Sequence, residues 1–151
     1  MRVATDTNIL LRLVEPGHTQ HSVVLNAVVN LRMLGHALCV FPQMLYEFWA
    51  VATRPLTANG LGKSSAEVDG LIANILGDFF MDPDGSAIFA EWRNLVSTYN
   101  VLGKQAHDAR IAAAMGVHGI THILTFNGAD FARYPAVTAL DPYAVAAGTL
   151  P

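Results

Sequence analysis

The sequence predicts a single α/β domain with a parallel sheet covered by helices on both faces. Two observations predict it. Short, continuous apolar runs recur along the chain, as in strands buried on both faces, without the alternation of a half-exposed sheet. Between them lie segments whose apolar residues follow the 3.6-residue helical period, and that alternation of strand and helix implies parallel pairing. Composition permits the fold: of 151 residues, 52% are hydrophobic and 14% charged, enough for a substantial core. No repeat, low-complexity tract or composition break divides the chain, so residues 1–151 read as one domain.

The elements follow in order. Residues 2–5 read as the first strand and 9–13 as a short helix. From Thr19 to Leu34, Val24, Ala27, Val28, Leu31 and Leu34 keep helical spacing, with Thr19 as N-cap and Gly35 just past the end. "ALCVF" (37–41) is a buried strand, and Pro42 opens a helix that stops before Pro55. "TANGLGK" (57–63) reads as a flexible loop. Ser64 and Glu67 form a capping box before a helix carrying Val68, Leu71, Ile72, Ile75 and Leu76. "FFM" (79–81) reads as a strand and "DPDG" (82–85) as a turn. Ile88, Trp92, Leu95, Val96 and Tyr99 mark a helix, and another runs from about 104 to 116. "HILTF" (122–126) and "AVTAL" (136–140) are the last strands. Phe48, Trp49 and Trp92 fall at core helical positions, and Cys39 reads as a small buried core residue.

Charge and cysteine content exclude several classes. Net charge is −3 and the pI about 6.0, without the basic footprint of a bulk nucleic-acid binder. That balance still allows an enzyme that meets nucleic acid through a metal. No apolar run approaches the roughly 18–20 residues that span a bilayer. The N-terminus shows no signal-peptide pattern, and Cys39 has no partner for an internal disulfide, so a reduced cytoplasmic compartment is expected. The histidines lack a tetrahedral zinc set.

Most acids lie at expected helix ends, exposed faces or turns, and the Asp82/Asp84 pair lacks the spacing of an EF-hand loop. Four are out of place. Asp6 directly follows the first strand, where open α/β sheets bind ligands. Glu47 lies inside the Pro42 helix with Met44, Ala50 and Val51 as neighbours on its face. Asp108 shares a helix side with Ile111, Ala112 and Met115, and Asp130 follows the strand at 122–126. A buried carboxylate must be paired, protonated or metal-bound. The chain has nine Lys and Arg, and few fall near these acids: Arg12, Arg54, Lys104, Arg110 and Arg133. A carboxylate cluster is better balanced by Mg²⁺ or Mn²⁺, which favour oxygen ligands. Such ions activate water and clamp a phosphoryl group during in-line displacement. The residue types alone leave open four separate capped or salt-bridged carboxylates.

"TDTNILL", "LYEFWAVATRP", "HDARIAA" and "ILTFNGADFARY" occur in the order seen in PIN-domain ribonucleases. The chain resembles that family over essentially its whole length, and within it the VapC toxins of type II toxin–antitoxin systems. T-x-N-x-x-D-F at 125–131 is the most specific of these signatures. The resemblance implies a PIN-like domain with a parallel sheet of about five strands. It implies a Mg²⁺- or Mn²⁺-dependent endoribonuclease, a homodimer and a cognate antitoxin partner. It assigns Asp6, Glu47, Asp108 and Asp130 as the catalytic and metal-binding quartet, with Asn8 bracing Asp6 and with Thr125 and Asn127 shaping the pocket. Arg12, Arg54, Lys104 and Arg110 are candidates for positioning the RNA backbone.

Two other readings compete. Asp6 could act as a covalent nucleophile, as in haloacid dehalogenase-like phosphatases, but the acid those enzymes place two residues on is here Asn8. The chain could instead be a non-catalytic metal-binding or dimerisation module. No G-x-G-x-x-G after a strand and no Walker A motif supports a nucleotide site.

Overall fold

The structure, a computed structural model, describes residues 1–149. Five strands form one all-parallel sheet: β1 (Arg2–Thr5), β2 (Ala37–Val40), β3 (Phe80–Met81), β4 (His122–Leu124) and β5 (Thr138–Leu140), in the order β3-β2-β1-β4-β5. β1 is central, pairing Val3 with Leu38 on one side and with His122 on the other. Val3 and Ala4 are accordingly fully buried. The chain builds outward from β1 through β2 to β3, then returns to place β4 on the opposite side of β1. That reversal opens a crevice at the carboxyl end of β1, the position open α/β sheets use for ligands.

Among the described residues eight helices flank the sheet: α1 (Thr7–Leu13), α2 (His21–Met33), α3 (Pro42–Thr53), α4 (Ser65–Asp78), α5 (Ser86–Thr98), α6 (Gln105–Val117), α7 (Gly128–Phe131) and α8 (Pro142–Ala146). α6 buries Ala109 and the run from Ile111 to Met115, nearly all round its circumference. Its small alanines let it pack between the sheet and α5. α3 starts with Pro42 at its first position and buries Met44, Leu45, Phe48 and Ala52. The Ser64–Glu67 capping box at α4 is formed in both directions. Among the described residues, no helix is long and apolar enough to cross a membrane.

Several boundaries differ from the sequence expectation. α2 starts at His21, because the turn before it is closed by His18, whose ring accepts from the Gln20 amide at 3.1 Å. Thr19 makes no cap. β4 ends at Leu124; beyond it the Phe126 amide leaves the ladder to donate to Asn8 Oδ1. α7 and α8 were not anticipated, although Asp141 capping the Tyr143 amide ahead of Pro142 is a legible start signal. Trp49 is exposed and Trp92 only half-buried; Phe48 alone of the three is core.

Two connections are more ordered than expected. The 57–63 segment is not free: the amides of Leu61, Gly62 and Lys63 donate to the carbonyls of Val51, Arg54 and Ala52. They satisfy the open C-terminal carbonyls of α3. Gly60 permits this approach, since a Cβ there would stand 1.9 Å from the Arg54 carbonyl oxygen. The 82–85 turn carries two ion pairs: buried Asp82 with Arg2, and Asp84 with Arg110 at 2.8 Å.

Candidate active site

Asp6 stands where β1 passes into α1, as the extended N-cap of that helix. Its Oδ1 accepts from the Thr7 amide at 2.7 Å. Its Oδ2 accepts from Asn8 Nδ2 at 2.8 Å and from the Thr125 hydroxyl at 2.5 Å. Thr125 in turn accepts from the Asn127 amide and from Asn8 Nδ2. Asp6 is thus 8% exposed and held by donors on both oxygens. Burial pushes its pKa up to about 6, helped by the negative charges of Glu47 and Asp108 and opposed by the Thr125 and Thr7 hydrogen bonds.

Glu47 projects from α3. Gln43, one turn earlier, donates from Nε2 to Glu47 Oε1 at 2.8 Å. The Thr7 hydroxyl reaches Glu47 Oε2 at 3.1 Å. Asp108 lies in the first turn of α6, with its pKa raised by partial burial and by the charges of Asp130 and Glu47, against the lowering effect of His107 and Lys104. Asp130 lies in the first turn of α7, just past β4.

The four acids line two adjoining clefts. The larger, about 590 Å³, is walled by Gln43, Tyr46, Glu47, Lys104, His107, Asp108, Asn127 and Asp130. The smaller, about 340 Å³, adds Asp6, Thr7, Asn8 and Arg54 around the shared Glu47, Asp108 and Asn127. Asp6 and Asp130 therefore stand at opposite ends, with Glu47 and Asp108 between them. Of the basic residues singled out from the sequence, Arg54 and Lys104 line these clefts. Arg12 and Arg110 line neither: Arg12 pairs with Glu15 at 2.5 Å, and Arg110 pairs with Asp84 and donates to Gln43. Sequence reasoning missed Thr7 and Gln43. The four-residue spacing of Gln43 and Glu47 on one helix was a readable signal; the Thr7 contact, between two elements, was not.

The donor set suits a hard divalent cation. It consists of carboxylate oxygens, and among the described residues none of the four acids sits in an ion pair. As they stand, no three His, Cys, Asp or Glu side chains among the described residues make a ready ion-binding group.

A doubly wound parallel sheet with clustered acids at its switch point defines an α/β domain built to work at the carboxyl edge of its central strand. The chain belongs to the PIN-domain family, whose profile matches residues 3–137. Solved structures share the fold. VapBC-1 from nontypeable Haemophilus influenzae aligns with a TM-score of 0.70 at 15% identity, covering 94% of this chain and 98% of that one. A toxin–antitoxin complex from Klebsiella pneumoniae aligns at 0.63 and 20% identity, covering 93% and 98%. Mycobacterium tuberculosis VapC20, a sarcin-ricin loop cleaving toxin, aligns at 0.64 and 15% identity, covering 87% and 95%. No curated protein matches the chain by sequence.

Proposed function

We propose that this PIN domain, spanning residues 1–151, is a Mg²⁺- or Mn²⁺-dependent endoribonuclease and the toxin of a toxin–antitoxin pair. The observation that carries the reading is the set of four carboxylates, Asp6, Glu47, Asp108 and Asp130, brought from four separate elements to adjoining clefts, with none of the four in an ion pair among the described residues. The family membership supports it, and the structural neighbours include a toxin described as cleaving the sarcin-ricin loop and a toxin–antitoxin complex. In this reading the protein works in the cytoplasm as a homodimer held in check by a cognate antitoxin.

The four acids would hold the ion, with Asp6 and Asp108 as its firmest ligands. When bound, the ion supplies water activation and polarisation of the phosphoryl oxygen. The chain's own residues set the geometry. Asn8, Thr125 and the Thr7 amide fix Asp6; Asn127 walls both clefts; Lys104 and Arg54 bring positive charge to the rim, where they would position the RNA backbone. The phosphatase alternative is disfavoured because the position two residues after Asp6, where those enzymes carry an acid, is Asn8, which donates to Asp6 Oδ2.

The test is cleavage of RNA by purified protein with Mg²⁺ or Mn²⁺. EDTA and the substitutions Asp6→Asn and Asp108→Asn should each abolish it. Cleavage that survives both substitutions would overturn the metal-site reading. Metal binding without cleavage of any RNA would favour the non-catalytic module.

A further inference from the structure

We propose that Gln43 is a positioning residue for Glu47, anchored by Arg110 and Asp84, and that this anchoring, not RNA contact, is the role of Arg110. The proposal rests on the reading of Glu47 as part of an ion-holding site.

Gln43 is 7% exposed, and every polar group of its amide is engaged. One Nε2 hydrogen goes to Glu47 Oε1 at 2.8 Å and the other to the His107 carbonyl at 3.0 Å. Oε1 accepts from Arg110 Nη1 at 3.1 Å. The amide has one orientation available. Flipped, it would turn its oxygen toward a carboxylate and a carbonyl, and its NH₂ toward a guanidinium that can only donate. Arg110 is held in turn by Asp84 Oδ1 at 2.8 Å. A continuous path thus runs from the 82–85 turn through α6 to α3 and ends on Glu47.

Glu47 needs such a brace. It is a long side chain on an open cleft wall, and its other contact is shared. The Thr7 hydroxyl has one hydrogen, but it faces both Glu47 Oε2 at 3.1 Å and the Met44 carbonyl at 3.2 Å. Gln43 is the committed donor. It also ties Glu47 to the His107 carbonyl, the residue next to Asp108, so two acids from different helices are set in register. Partners of this kind typically contribute 10–100-fold to metal affinity or activity.

The experiment titrates MnCl₂ into the full chain by calorimetry, with thermal unfolding and RNA-cleavage kinetics on the same samples. Gln43→Leu should weaken Mn²⁺ binding by about 10–100-fold and lower kcat, with KM for RNA unchanged. Arg110→Ala should act in the same direction but more weakly, and the double variant should be no worse than Gln43→Leu, as expected of residues acting in one path. If Gln43→Leu does not fold, Gln43→Met keeps the side-chain length, adds no charge and removes the donor toward Glu47; it should weaken Mn²⁺ binding likewise. Native Mn²⁺ affinity in the folded Gln43 variant overturns the proposal. So does an Arg110→Ala protein with native Mn²⁺ affinity and a raised, salt-dependent KM, because Arg110 would then touch RNA. A wild-type protein that binds no Mn²⁺ overturns the site reading beneath it, an outcome distinct from either.

Discussion

The Thr125 hydroxyl donates to Asp6 Oδ2 at 2.5 Å, joining residues 119 positions apart in sequence. β1 and β4 are neighbours in the sheet, and both release their chain at the same edge. The contact is therefore a product of topology. It couples the acid that follows the central strand to the segment that carries Asn127 and Asp130.

Asp6 should make metal-free stability fall as pH rises. Its folded-state pKa, near 6, lies above the unfolded value of 3.8. Between those values the folded state binds more protons, so unfolding free energy declines with pH until Asp6 is fully ionised. The shift corresponds to roughly 3 kcal/mol. In EDTA, the melting temperature of the wild type should fall between pH 4 and pH 7.5, and the fall should be smaller in Asp6→Asn, whose amide does not ionise. Equal melting temperatures at both pH values would contradict this.

Replacing Thr125 with Val removes a buried donor to a carboxylate and keeps the volume. At pH 7.5 the loss should be about 1.5–3 kcal/mol of stability, because the ionised Asp6 loses a partner. At pH 4, where Asp6 is protonated, the loss should be smaller. Denaturant unfolding at the two pH values reads this directly.

Gly60→Ala should be among the more damaging small substitutions. The added Cβ meets the Arg54 backbone, which has no soft way to give. A cost of about 2–4 kcal/mol is expected, measured by urea unfolding. Gly17→Ala, with nothing within 4 Å of the new Cβ, is the control.

The basic residues should separate by position. Lys104→Ala and Arg54→Ala, on the cleft walls, should raise KM for RNA and flatten its salt dependence. Arg12→Ala, tied to Glu15 away from the clefts, should leave KM unchanged. Cleavage assays at two ionic strengths decide between these outcomes.

What could be read in advance follows from which forces are local. Buried strands announce themselves as apolar runs, so the five-stranded parallel sheet was legible, as were the Pro42 start and the Ser64–Glu67 box. Asp6 stood out because a carboxylate after a core strand needs a reason. Residue types alone did not place Glu47, Asp108 and Asp130 on shared clefts; a resemblance supplied that expectation. The order of the 57–63 segment was illegible, because its hydrogen bonds go to carbonyls of another element. Gln43 was overlooked for a different reason: glutamine is common on helices, and its partners His107 and Arg110 lie more than sixty positions away.

Because the central strand is made first and its partner β4 late, the acidic site has an order of assembly. A nascent chain that has emerged only through α5 carries Asp6 and Glu47 but neither Asp108 nor Asp130. Nor has it the Thr125 hydroxyl that fixes Asp6. Under the proposed function, a product that stops short of Asp130 would lack part of the acidic set, and nuclease activity would arise only once the chain had been made through α7.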